Sequence, residues 1–296
     1  MTSTMTSTKT QIKTSIKNAI ALSTICIATV ATSTLIGQSA FAQYGLGLPK
    51  SASSGGATRS VDSLPHVTIL VPGDGARTLA SRPTFYWYIA PQDIAATTST
   101  PQTTVVPQAD DGKSPFKVTF FLRDGNERAS KSIFKAEGKA QGAGLYKFTL
   151  PENAPELKKG KVQRWQIRWE GTSGAVQVDV NALIRRDDDP VVTKEIASAK
   201  SDLEKARIYT KNAYWYDAID AYTSWISKNP KDNVASAERN NLLKVGLPSN
   251  LAFINVKKDE EGIVTEEFIP ARFANFLTTL DKSKSALSIA LEPKKN

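Results

Sequence analysis

The chain of 296 residues contains one cysteine, two methionines and one histidine, so disulfides, multi-thiolate metal sites and multi-histidine centres are excluded by composition. Its 38 basic and 29 acidic side chains give a net charge of +9, but no run of five or six basic residues marks a nucleic-acid groove, and none is expected as a partner. The length suffices for one large or two modest domains with buried cores.

The first 42 residues begin with lysines only (Lys9, Lys13, Lys17), continue through a weakly apolar run over 19–37 and end in Ala40-Phe41-Ala42. That order of basic, apolar and small-residue parts predicts a secretory signal peptide over 1–42, cleaved after Ala42. The apolar run is threaded with Ser23, Thr24, Thr29, Thr32, Ser33 and Thr34, which suits a permanent membrane span poorly. Ser23-Thr24-Ile25 before Cys26 also lacks the small apolar box of a lipoprotein signal. Cleavage would remove Cys26, Met1 and Met5, and with them every sulfur atom. It would leave 254 of the 296 residues and, with three lysines lost, 35 basic against 29 acidic side chains, a net charge of +6. The expected protein is exported, periplasmic or extracellular, with no integral membrane segment in its mature chain and a core that stands without disulfides.

Residues 43–64 are rich in Gly, Ser, Pro and Lys and read as a flexible leader. From 65 to 186 the hydrophobic period is two. Val67, Ile69 and Val71 alternate with polar neighbours, as do Phe85, Trp87 and Ile89, then Phe116, Val118, Phe120 and Leu122. Further alternation over 146–150, 165–169 and 176–184, with a weaker stretch around Ile133, makes about seven short strands. Turn chemistry separates them at Pro72-Gly73-Asp74-Gly75, Asp124-Gly125-Asn126 and Gly171-Thr172-Ser173-Gly174. The pattern predicts a β-sandwich of the immunoglobulin or fibronectin kind, with the Thr-, Gln- and Pro-rich stretch 91–115 looping out between two strands. Trp87, Trp165 and Trp169 fall on inward-facing positions.

At Asp187-Asp188-Asp189-Pro190 the period becomes helical, with Asp189 as cap and Pro190 at the first position. One helix carries Val192, Ile196, Ala199, Leu203 and Ala206; a second carries Trp215, Ala218, Ile219, Tyr222 and Ile226 and stops before Pro230; a third ends at Gly246. Residues 187–248 are thus an α-helical hairpin subdomain. Residues 249–296 read as a variable, partly disordered tail containing a short helix over 270–280.

Ala206, Tyr209, Trp215, Ala218, Tyr222 and Pro230 fall in the order and spacing of a single tetratricopeptide-type hairpin over 206–232, which this segment resembles. One repeat cannot bury its own apolar face, so it should dock on the sandwich or on another chain. Over about 65–250 the chain also resembles a cyanobacterial family of exported proteins, the domain of unknown function 928. The residues that carry this likeness are Leu70-Val71-Pro72-Gly73, Ser81-Arg82-Pro83-Thr84-Phe85-Tyr86-Trp87-Tyr88, Arg164-Trp165 and Asn212-Ala213-Tyr214-Trp215-Tyr216-Asp217-Ala218. The resemblance implies export and a sandwich-plus-hairpin plan, and carries no catalytic residue.

Candidate chemistry is sparse. His66 lies on the polar side of its strand without a catalytic partner motif. Ser132 and Lys135 spell the Ser-x-x-Lys of some acyl-transfer enzymes, but that dyad needs a helical turn and this stretch reads as a strand. The three aspartates 187–189 lack the alternation, glycine and distal glutamate of a calcium loop and read as a helix start. Glu170 and Asp179, near opposite ends of a hairpin, could serve a carboxylate-dependent hydrolase. Tyr86 and Tyr88 share one face of an aromatic strand. They either pack beneath the helical hairpin or, with Trp169, form the candidate ligand or partner surface for sugar rings or another protein. The expected function is a non-enzymatic, exported interaction or structural protein of the cell envelope. It needs no cofactor or metal, and its partner is another envelope protein. An envelope polysaccharide-binding module is the alternative and a hydrolase the third reading.

Overall fold

The computed structural model describes residues 44–50, 67–90, 116–170, 177–258, 263–283 and 285–294, all within one compact unit. The signal segment, its cleavage site at Ala42, His66 and the 91–115 loop lie outside the described residues.

Two sheets pack face to face. The smaller has the order β1(Val67–Ile69)-β3(Thr84–Ile89)-β6(Gly144–Thr149)-β11(Leu287–Ser288). The larger has the order β12(Glu292–Pro293)-β5(Ser132–Ala140)-β4(Phe116–Arg123)-β7(Val162–Glu170)-β8(Gln177–Arg186)-β2(Ala76–Thr78). Pairing is antiparallel except for β2 on β8 and β11 on β6. Alternation sends Phe85 and Trp87 inward from one sheet and Phe120, Trp165, Ile167 and Trp169 inward from the other, and all six are buried. The Phe85 ring meets Phe120 and Trp165, each at 4.9 Å between centroids, and Phe120 meets Phe148 at 4.8 Å. These tilted aromatic contacts fill the space between the sheets.

Among the described residues 67–186 carry eight strands, where alternation predicts about seven. The additional one, β2, is three residues long and too short to show a period. It forms after the Pro72–Gly75 turn, where Gly75 takes φ +88° and its backbone lies against Leu183, and it pairs in parallel with β8. Because β1 belongs to one sheet and β2 to the other, this stretch laces one open side of the sandwich.

Five helices follow among the described residues: α1(Pro190–Ser198), α2(Asp202–Lys211), α3(Trp215–Lys228), α4(Asn233–Gly246) and α5(Pro270–Lys282). Asp189 caps α1 by accepting from the Val192 amide at 3.0 Å, as the sequence predicts. The first predicted helix is in fact two, since Ser201 interrupts it and caps α2 through the Glu204 amide at 3.1 Å. Gly246 ends α4, as the sequence predicts, with right-handed backbone. Its constraint is space, because a Cβ there would come within 2.2 Å of the Trp215 ring.

The helices dock on the sheets through α3. Trp215 Nε1 donates to Leu70 O at 2.8 Å, and Trp165 Nε1 donates to the Tyr216 hydroxyl at 2.8 Å, which in turn donates to Leu183 O at 3.1 Å. Asp217 accepts from the Thr78 hydroxyl and the Leu79 amide. Tyr44 packs edge-on against Trp215 at 5.4 Å and is buried, while the residues that follow it to Lys50 are half-buried or exposed. Lys50 is paired with Glu266.

The segment read as a partly disordered tail also carries regular structure. After two short 3-10 turns it forms a hairpin of β9(Ile254–Lys258) and β10(Val264–Phe268), then α5, then β11 on the smaller sheet and β12 on the larger. Ile289 and Leu291 are buried between these last two strands. Gly138 makes room for them, since a Cβ there would sit 2.3 Å from Ala290 O. The chain thereby laces the second open side of the sandwich. Two-residue strands have no readable period, which is why the sequence does not announce this closure.

The result has three layers. Helices α3 and α5 lie against Tyr86 and Tyr88 on the outer face of the smaller sheet, the two sheets enclose the core, and the outer face of the larger sheet is mostly polar, with Thr119, Arg164, Gln166 and Asn181 on it buried. Among the described residues no helix is long and apolar enough to cross a membrane.

Candidate functional site

Every second residue of β4, β5, β7 and β8 points away from the core of the larger sheet, and this open face is where the structure gathers ionisable side chains. The register sets Phe121 of β4 between Lys135 of β5 and Gln166 of β7, and sets Arg123 directly beside Arg164. The half-buried Phe121 ring has the Arg168 guanidinium 5.4 Å from its centroid, that of Arg123 at 5.8 Å and the Lys135 ammonium at 6.0 Å.

The cations fall into two groups. Those toward one end of the face are paired: Arg168 forks onto Asp179 at 2.8 and 3.0 Å, Lys135 meets Glu137 at 2.6 Å, and Lys117 lies 3.3 Å from Glu170. Those toward the loop 124–131 have only neutral hydrogen-bond acceptors among the described residues. Arg123 donates to Ser130 O at 2.9 Å and to Gln166 Oε1 at 3.2 Å, while its Nε is buried without a partner. Arg164, 7% exposed, donates to Asn126 O from both Nε and Nη2 and to Asn181 Oδ1 from Nη1. Burial, reinforced by the like charges of Arg128 and Arg123, holds the Arg164 guanidinium below its usual pKa. Of the loop's two acids, Asp124 is taken by Lys158 at 3.0 Å and Lys161 at 3.1 Å, leaving Glu127.

Of the two arrangements the sequence leaves open for the aromatic strand, the buried one is found. Tyr86, Tyr88 and Trp169 are 2%, 4% and 2% exposed, so none presents a ring to a ligand or partner. Trp169 faces the core. Tyr86 lies beneath α3 with its hydroxyl donating to Asp220 at 2.6 Å, and Tyr88 lies against Phe276 of α5 at 5.7 Å. The packing alternative for the two tyrosines is the arrangement found. Burial, then the Asp220 charge, pushes the Tyr86 phenol well above its usual pKa.

Glu170 and Asp179 both sit on the open face, each in an ion pair. Burial works against the charge of Asp179, but the Arg168 fork outweighs it and holds the carboxyl below the usual range, the opposite of what a general acid requires. Ser132 and Lys135 do share a face, contrary to simple alternation. An irregularity in the β4–β5 register sets Ser132 across from Arg123 and Lys135 across from Phe121. Even so, the Lys135 ammonium is bound to Glu137 and the Ser132 hydroxyl donates to Phe134 O at 3.3 Å. The three aspartates have separate duties. Asp187 holds Arg77 and Arg185, Asp188 holds Lys159, and Asp189 caps α1. Among the described residues no cluster of His, Cys, Asp or Glu is placed to hold a metal ion.

The arginine group went unseen in the sequence because its members lie on one loop and two separate strands. Reading charge, as well as hydrophobicity, at every second strand position would bring Arg123, Arg164 and Arg168 onto one face.

The family described as Domain of Unknown Function (DUF928) matches residues 54–253, more than half of the chain. The chain belongs to the DUF928 family. The match runs through the strands of both sheets as far as β8 and through α1–α4, and it ends at Phe253, where β9 is about to begin. In this DUF928 protein the hairpin β9–β10, α5 and the lacing strands β11 and β12 therefore lie outside the matched segment. No curated protein matches the chain.

Proposed function

We propose that this DUF928 protein is an exported, non-enzymatic interaction protein of the cell envelope whose working surface is the open face of the larger sheet. The observation that carries the reading is the asymmetry of the three layers: one sheet face is covered by helices, and the other presents a half-buried Phe121 among cations. Arginine and aromatic residues together are the usual composition of interface centres. Against catalysis stands the engagement of each acid weighed above in an ion pair or a helix cap. Two finer assignments accompany this reading. The strand order, with its first strand divided between the sheets and its second half parallel to β8, supports an immunoglobulin-like sandwich. The buried Ala206 and Ala218 on α2 and α3 support a tetratricopeptide-like hairpin. Export rests on the N-terminal pattern ending at Ala42.

The test is retention of envelope extract on the immobilised protein. Wild type and Val191→Ser, which alters an exposed residue of α1 away from the sheet, should retain the same component, and Phe121→Ser should lose it. Equal retention by Phe121→Ser would remove the open face from the interaction.

A further inference from the structure

Two strand arginines, Arg123 and Arg164, meet at the loop 124–131 and donate only to carbonyl oxygens among the described residues. Arg123 and Arg164 are cross-strand neighbours, so two guanidinium groups stand side by side on one face. Both are tied to the loop, Arg123 through Ser130 O and Arg164 through Asn126 O, and Arg128 of the same loop is close enough for its charge to act on Arg164. Like charges held together are destabilising unless an anion or a carboxylate offsets them. Glu127, the loop's other acid, is exposed beside Arg128 in the chain, and Asp179, itself forked by Arg168, also acts on Arg123. Arg164 is nine-tenths buried and held by carbonyls, while Arg128 is exposed. A buried guanidinium, a half-buried one with an unpartnered Nε, and an exposed one make a cradle for a single oxyanion.

The surroundings extend the pattern beyond one group. Two residues along a strand cover about 7 Å, so Arg123, Phe121 and the Arg168 row form a ladder of cation, ring and cation across the face. The half-buried Phe121 ring adds apolar surface between the cations, and of these Arg123 has only neutral hydrogen-bond acceptors while Arg168 is paired with Asp179. We propose that Arg123, Arg128 and Arg164 form an oxyanion site for a carboxylate- or sulfate-bearing polysaccharide, with Phe121 receiving the adjoining sugar ring. The assignment rests on the reading of the open face as the working surface and names the chemistry of its ligand.

The purified full chain is titrated calorimetrically, at low and at physiological salt, with four probes: sodium sulfate, polygalacturonate, poly-glutamate and neutral dextran. Polygalacturonate should bind with a salt-dependent affinity, more tightly than poly-glutamate of equal charge, and dextran should not bind. Sulfate should compete weakly at the same site. Arg128→Gln, at an exposed loop position that leaves the fold intact, should weaken polygalacturonate by about tenfold, the usual worth of a charge-assisted hydrogen bond. Phe121→Leu should weaken polygalacturonate and leave sulfate competition unchanged. Equal binding by Arg128→Gln, or tighter binding to poly-glutamate than to polygalacturonate, overturns the proposal. Loss of an extract component on Phe121→Ser with no polygalacturonate binding would overturn the oxyanion site and leave the open face as a protein-binding surface.

Discussion

Tyr216→Phe isolates the bond that fastens the helices to the sandwich. The Tyr216 hydroxyl accepts from Trp165 Nε1 at 2.8 Å and donates to Leu183 O at 3.1 Å, and all three residues are buried. Burial pushes the phenol far above its usual pKa, so it stays neutral and keeps its proton for Leu183 at any ordinary pH. Replacing it with Phe changes volume little and opens no cavity, so the loss is polar. A buried indole N–H is left without an acceptor, which costs about 1 to 3 kcal/mol, and the Leu183 carbonyl loses one of its donors for about 1 kcal/mol or less. The expected destabilisation is about 2 to 3 kcal/mol, measured by urea unfolding of the protein from Gln43 onward, followed by tryptophan fluorescence. Because Trp165→Phe removes the same bond from the other side, the double variant should fall short of the sum of the two single losses by about 1 to 2 kcal/mol. A loss below about 0.5 kcal/mol for Tyr216→Phe, or strict additivity, would mean that α3 is not anchored through this hydroxyl.

Ala218 is fully buried on α3, and Ala218→Leu should destabilise by about 1 to 3 kcal/mol through overpacking in the same unfolding assay; a neutral substitution would mean that the helices part without cost. Since Trp215 and Tyr216 both spend their polar atoms on the sandwich, residues 190–246 alone should show little cooperative helix by circular dichroism, and a stable monomeric helical fragment would refute the docking argument. Asp217 gives a pH signature: although the residue as a whole is half-buried, its carboxyl is turned inward, and burial pushes it from 3.8 to about 6 against the Leu79 and Thr78 donors. The folded state thus binds this proton more tightly than the unfolded chain, so the stabilisation is fully present below pH 3.8 and is lost as pH rises to about 6, at most about 3 kcal/mol. The stability difference between wild type and Asp217→Asn should change across that window and be flat above it, and a difference constant from pH 3.5 to 7 would refute the assignment.

What the sequence made legible follows from where one force acts alone. Strands β3, β4, β6, β7 and β8 sit between a wet or helix-covered side and a dry core, so hydrophobicity at period two is imposed residue by residue and can be read back. Asp189 before Pro190 is legible for the same reason, because a helix start is satisfied by its immediate neighbours. The failures are all cases in which a distant partner decides. Gly246 does end its helix, but the reason it is glycine appears only when Trp215 is seen to occupy the place of its side chain. Tyr44 sits in a stretch with the composition of a loose leader, yet one aromatic contact with Trp215 draws it into the core. Gly138 has no local reason to be glycine and acquires one only when the Ala290 carbonyl arrives from 152 residues further along the chain.

The open face belongs to this second kind, and there the consequence is functional. Dispersed basic residues argue against a nucleic-acid groove only while the chain is considered as a line. Folding turns dispersion into adjacency wherever strands from different parts of the sequence meet. Arg123 and Arg164 are far apart in the chain and side by side in the sheet, and the loop after Arg123 bends back so that its Ser130 and Asn126 carbonyls accept from them. Meanwhile the aromatic residues that stood out as a binding surface, Tyr86 and Tyr88, were conspicuous because their strand is covered on both sides, which is the mark of a core strand. A run of large apolar residues signals burial before it signals binding. The surface that remains available for recognition is the one whose sequence signal was weakest, the alternating polar side of β4 and β7.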